Sequence, residues 1–151
     1  MGSPFGVFRD WYGLDLAGAA LALHHLNAKC DMSDKSPILL WYRRDLRLSD
    51  HPALSAAANA GRPVIPVFIK DKSVDALGAA PKWRLGLGIG ALADSLEGVS
   101  SRLVLREGDA LEVLQALIKE TGAGAVYWSR LYDPDSVQRD SKIKEILCSD
   151  G

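Results

Sequence analysis

Two cysteines, Cys30 and Cys148, are all this chain has, and they lie far apart without metal-ligand spacing. That excludes a disulfide framework and a cysteine-type zinc site, and the expectation is free thiols in a reducing cytoplasm. An excess of either charge is also missing: 18 Lys and Arg face 19 Asp and Glu, a formal net charge of −1. Nothing then pulls the chain toward nucleic acid or an anionic membrane at long range, so this piece alone is not expected to bind DNA strongly. No apolar run is long enough to span a bilayer. A Walker lysine, a nucleophile elbow and a cluster of metal ligands are absent too.

What is there suits one globular domain. The length is 151 residues, with 48 % apolar and 25 % charged side chains, enough for an ordinary core. The first 31 residues read differently. "LDLAGAALALHHLNA" has the apolarity of a short signal core, but Arg9 is offset by Asp10 and Asp15, so the positive leading region is missing. Gly6 stands where a myristoylation signal needs Ser or Thr. His24 and His25 are adjacent and would point apart on a helix, which argues against a metal site. Met32 sits just before the first convincing strand and is read as the natural start. Residues 1–31 are then an extension, with a helix docked on the sheet as the alternative, and 32–151 the domain.

From Ser36 onward the pattern is regular. "PILLWY" is a continuous apolar run, as expected of a strand covered on both faces. "SDHPALSAAANAG" reads as a short helix capped by Ser49 or Asp50, with Pro52 in its first turn and Gly61 as its stop. "RPVIPVFI" is a second strand, although its two prolines remove ladder donors. "APKWRLGLGIGALADSLEG" is a helix with Leu85, Ile89, Leu92 and Leu96 on one face. "SRLVLRE" is a third strand. "GDALEVLQALIKETGAG" is a helix capped by Asp109, with Leu111, Leu114, Leu117 and Ile118 inside. "AVYW" is a fourth strand, and a last helix starts at Asp133 and Pro134. Strands alternating with helices predict an α/β, Rossmann-like doubly wound parallel sheet in three layers, with strand order 3-2-1-4.

The "GLGIG" at Gly86–Gly90 is not a dinucleotide loop. Such a loop follows a strand and opens a helix, whereas these glycines lie inside a helical leucine period. Close packing of the helix on the sheet explains them better. "WYRRDLRLSD", Trp41 to Asp50, is the more informative stretch, because a buried strand opens there into dense alternating charge. "YWSRLYDPD", Tyr127 to Asp135, repeats the chemistry at the end of the fourth strand. With strands one and four adjacent, the crevice between them is the topological switch point, where open α/β sheets bind ligands. Trp41 or Trp128 and Tyr132 would supply flat surfaces, and Arg44 and Asp45 polar anchors. That combination suits a planar heteroaromatic ligand. The same charges also fit an ion-pair network tying loop one to loop four. Phe68 and Asp71, closing the second strand, read as half core and half rim, and Arg84 and Lys82, which begin the second helix, as solvated residues.

"LLWYRRDLRLSDHPAL" closely resembles the opening of DNA photolyases and cryptochromes, where an apolar strand runs into a W-F-R-R-D-L-R-L-x-D-N-like signature. Tyr42 stands here for the phenylalanine and His51 for the asparagine. "PVIPVFIKD", the helix containing Arg84, "VSSRLVLREGDALEVL" and "AVYWSRLYDPDSVQRD" continue the resemblance, the last with the Arg139–Asp140 pair. It covers residues 36–147, about three-quarters of the chain.

The resemblance implies the family's N-terminal α/β domain, which holds an antenna chromophore: a reduced folate, a deazaflavin or a flavin. Its partner is a helical domain at the C-terminal side that binds FAD and contacts damaged DNA. There a photoexcited reduced flavin splits pyrimidine dimers, a light-driven lyase reaction. The chromophore contacts it implies, together with the crevice, are Arg44, Asp45, Phe68, Asp71, Arg84, Trp128, Tyr132, Asp133 and Arg139, with Trp128 expected to matter for binding and not for folding. No catalytic residue and no metal is expected in this piece. Asp135 and Ser136 replace the Asn-Glu pair of folate-binding relatives, and Leu131 stands where some deazaflavin relatives have a carboxylate. The chain stops after the last helix, before the family's fifth strand and the flavin domain, so it reads as truncated and inactive in dimer repair on its own. The other readings are a stand-alone nucleotide-binding or regulatory module, a truncated gene product without function, and an interaction domain pairing through the fourth strand's open edge.

Overall fold

The computed structural model describes residues 35–149. The readings for residues 1–31, with Cys30, the two adjacent histidines and the Met32 start, lie outside the described residues.

Four parallel strands form one sheet in the order β3-β2-β1-β4. They are β1 (Ile38–Tyr42), β2 (Val64–Lys70), β3 (Val104–Glu107) and β4 (Ala125–Trp128). Five helices connect and follow them: α1 (Pro52–Asn59), α2 (Lys72–Asp75), α3 (Ala79–Glu97), α4 (Ala110–Thr121) and α5 (Pro134–Ser149). The expected doubly wound order and the three layers are thus present. All five residues of β1 are buried, which is why that strand reads as an unbroken apolar run.

Each sheet face carries its own core. Leu39, Trp41, Val67 and Ile69 pack on α4 through Leu114 and Leu117 and on α5 through Ile143. Leu40, Tyr42 and Phe68 pack on α3 through Leu92 and Leu96, with Ala53 and Leu54 of α1 against them. The leucine period of α3 does set its inner face, since Leu85 and Ile89 also lie against this second core.

β2 tolerates its prolines for a reason of register. Ile38 N–H donates to the Pro63 carbonyl at 2.8 Å, and Ile38 pairs with Val64. Groups along a parallel strand alternate between neighbours, so the Pro66 nitrogen faces the β3 side. Pairing with β3 starts one residue later, at Val67 and Val104. The missing N–H therefore falls where no ladder bond is due.

Three local expectations change. The cap of α1 is His51, whose ring Nδ1 accepts from Leu54 N–H at 3.0 Å, and not Ser49 or Asp50. Asp50 instead turns the chain with φ 49°, which a short polar side chain tolerates better than most. α2 was not anticipated: Asp71 caps it by accepting from Ser73 N–H at 2.9 Å and Val74 N–H at 3.3 Å. Of the three glycines in "GLGIG", only Gly88 is closely packed. A Cβ there would meet Leu46 Cδ1 at 3.0 Å, a loop side chain and not the sheet, while Gly86 and Gly90 face open space.

Candidate functional site: a cleft at the carboxyl ends of β1 and β2

A cleft of about 570 Å³ opens above the carboxyl ends of β1 and β2. Its floor is apolar, with Trp41, Phe68, Leu77 and Leu85. Its wall comes from the loop after β1, from α2 and from the near face of α3, with Leu131 and Arg139 across the gap. A volume of this size with an apolar floor and a few polar groups is typical of small-molecule sites.

Six of the nine residues singled out above line this cleft: Arg44, Asp45, Phe68, Asp71, Arg84 and Arg139. Three do not. Trp128 packs against the core beneath, its ring 6.1 Å from that of Trp41 and tilted by 60°. Tyr132 is 84 % exposed and has Arg130 over its ring at 5.9 Å. Asp133 starts α5, accepting from Ser136 N–H at 3.2 Å, and faces Arg44 at 3.5 Å.

The reason the cleft lies toward β2, and not in the seam between β1 and β4, is that the seam is filled. Arg43 is buried and runs across it. Its Nη1 donates to both oxygens of Asp140 at 2.8 Å, and its Nη2 to the Ser129 carbonyl. Arg139 joins Asp140 at 3.4 Å and donates to Asp71. Both guanidiniums lie over the Trp41 ring, at 4.9 and 5.3 Å. Two arginines and two aspartates thus close a neutral network between β1, the end of β2 and α5. Of the charges in the stretch after β1, only Arg43 enters this network; Arg44 pairs across to Asp133 after β4, while Arg47 and Asp45 pair locally with Asp50 and His51.

Asp45 is held from several sides. Burial pushes its carboxyl up, but the Ser129 hydroxyl, the Arg43 N–H and His51 outweigh that and hold it below the ordinary value. His51 Nε2 lies 2.7 Å from Asp45 Oδ2, in contact but off the line of a well-formed hydrogen bond. Because Nδ1 accepts from Leu54, the ring proton sits on Nε2, facing the carboxylate. Tyr42 lies edge-on to this ring at 5.0 Å. Its phenol is pushed up to about 12 by burial and by Asp45.

Sequence reasoning missed Leu77, Pro81 and Gly88 as lining residues. The signal that would have found them is α2 itself, written as Asp71-Lys72-Ser73 after a strand, which brings the start of α3 over the sheet end.

Comparison with known proteins fits this architecture. The sequence profile of DNA photolyases matches residues 38–151. The chain belongs to the DNA photolyase family. It is 49 % identical over 116 residues to a deoxyribodipyrimidine photo-lyase of Agrobacterium fabrum, covering 77 % of this chain and 24 % of that protein. Among solved structures, a bacterial class III photolyase from Agrobacterium tumefaciens superimposes with a TM-score of 0.75 at 48 % identity, over 78 % of this chain and 24 % of that one. An archaeal photolyase from Sulfolobus tokodaii, described with two FAD molecules and an implied novel light-harvesting cofactor, gives 0.62 at 28 % identity, over 76 % and 27 %. The chain therefore spans about a quarter of the length of these photolyases, and the part it matches is their N-terminal domain. No helix among the described residues is long and apolar enough to cross a membrane.

Proposed function

We propose that residues 32–151 form an antenna-chromophore domain, which holds a planar heteroaromatic group in the cleft above β1 and β2. The observation that carries this reading is the cleft itself, apolar below and rimmed with arginine, in a domain of photolyase type. The residues present fit such a group. Trp41 lines the cleft, and its indole Nε1–H is buried without a partner among the described residues. Phe68 and Leu85 offer flat and apolar contact, and Arg44, Asp45, Asp71, Arg84 and Arg139 the polar anchors. When bound, the group absorbs light and passes on excitation energy. The chain's own residues bind it, orient it and exclude water; no covalent step falls to them. Trp128 would act from below, by setting the Trp41 ring.

A reduced folate, a deazaflavin and a flavin all have the planar shape the cleft needs. In the whole protein, the partner would be a helical domain that carries FAD, with light-driven dimer repair or light sensing as the joint activity and damaged DNA reached only through that partner. A reducing cytoplasm suits the exposed free thiol of Cys148.

The test is retention. The purified chain is incubated with a reduced folate, a deazaflavin or a flavin and passed over a gel-filtration column. A near-UV or blue absorption band eluting with the protein is the expected result. A folded sample that retains none of the three would overturn the proposal.

A further inference from the structure

We infer that the ligand of this cleft is an anion as well as a planar ring, its phosphate or carboxylate held at a rim formed by Arg44, Arg47 and Arg84. The inference rests on the antenna reading and narrows it. Five arginines and only two aspartates line the cleft, in a chain whose formal net charge is −1. The cleft lining thus carries an excess of positive charge that the chain as a whole does not.

The five arginines divide by their partners. Arg43 and Arg139 are neutralised within the network with Asp140 and Asp71. The other three stand at the rim. Arg44 is largely exposed and has Asp133, which does not line the cleft, at 3.5 Å. Arg47 uses Nε and Nη2 on the Ser49 and Asp50 carbonyls, and its nearest carboxylate, that of Asp50, lies at 3.9 Å and is almost fully exposed. Arg84 has neither an ion pair nor a hydrogen bond among the described residues.

The two aspartates of the lining cannot answer these charges. Asp71 is committed to Arg139 and to the start of α2. Asp45 is committed to His51, the Arg43 N–H and Ser129. An apolar floor beside guanidiniums that no carboxylate of the lining answers fits an amphiphile whose ring lies inward and whose charged end lies at the mouth. Guanidinium forks match phosphate and carboxylate oxygens in bidentate geometry.

Binding of FMN and of riboflavin to the full chain tests this, because the two share one ring system and differ by the phosphate. Flavin fluorescence is titrated with protein at low and at high salt. FMN is expected to bind about ten- to a hundredfold tighter, with the difference shrinking as salt rises. In the doubly substituted R47Q/R84Q chain, where only Arg44 of the rim remains, the ratio of FMN to riboflavin affinity should fall about tenfold. Both side chains are exposed, so the melting temperature should hold. Should neither flavin bind, 5-formyltetrahydrofolate is compared with the same reduced pterin lacking its glutamate, which asks whether the anion is a carboxylate. Equal affinity within either pair overturns the anion inference and leaves the antenna reading standing. If the folded chain binds none of the four, the anion inference falls, and the antenna reading falls with it when the deazaflavin is not retained either.

Discussion

His51 does with an imidazole what a short polar side chain usually does at a helix start. One ring nitrogen caps α1 and the other faces Asp45, so a single buried residue fixes both the helix and the loop that walls the cleft. His51→Ala should cost about 1–3 kcal/mol, from the lost cap and the buried space together. His51→Asn, which keeps a capping oxygen, should recover roughly half of that in a denaturant titration. Tyr42 gives a prediction of opposite sign. Its hydroxyl is buried without a partner among the described residues, so Tyr42→Phe should be neutral or stabilising at pH 7. The phenol titrates near 10 when unfolded and at about 12 in the fold. The neutral form is therefore favoured by folding, and that contribution is intact below pH 10 and lost as pH climbs toward 12. Melting temperatures of Tyr42→Phe and the parent should diverge above pH 10, the parent falling faster. Asp45 has the reverse sense. Its lowered carboxyl contributes above the ordinary carboxylate range and ceases to contribute as pH drops through the depressed value.

Among the elements, legibility followed length and period. The four strands and the longer helices announce themselves by apolar runs or by leucines three and four apart, and these signals survive tertiary packing. α2 has four residues, less than any period can reveal, and its only trace is the Asp71 cap. The α1 cap is hard to read from sequence, because histidine is a rare capping residue and stands beside two common ones, Ser49 and Asp50. In the cleft, the residues that close β1 and β2 are legible from those strand ends, whereas Tyr132 and Asp133 after β4 lie elsewhere and Leu77 and Gly88 depend on how α2 folds back. Sequence alone gives the aromatic ring of Trp128 no direction, and that ring turns into the core beside Trp41 and not toward the cleft. Trp128→Ala should accordingly destabilise the domain by roughly 2–3 kcal/mol, the low end for an aromatic truncation since the residue is half-buried. The glycines of α3 separate in the same way. Gly86→Ala and Gly90→Ala meet open space and should each stabilise by about 0.5–1 kcal/mol. Gly88→Ala should gain nothing, because its Cβ would press on Leu46 at 3.0 Å. Thermal melts of the three variants check the ranking.

Among the described residues, the arginine–aspartate network joins parts of the chain that lie far apart in sequence. The Arg43–Asp140 contact joins residues 97 apart in sequence, and Arg139–Asp71 joins residues 68 apart. Together they fasten α5 to the ends of β1 and β2. α5 has little else to hold it: Ile143 is its one buried large apolar residue, with Leu147 partly covered. A buried ion pair is weak evidence of net stability, but breaking half of one leaves a charge stranded in the core. Asp140→Asn should therefore cost about 3–5 kcal/mol. Much of that should return when Arg43→Met is added, since the stranded charge is then removed. The loss should also be local. Hydrogen exchange in Asp140→Asn should rise most along α5 and the loop through Asp133, while β1, β2 and α3 keep their protection, because their core on the opposite sheet face does not include α5. Uniformly faster exchange across the sheet would mean that the network holds the fold as a unit and not one helix on it.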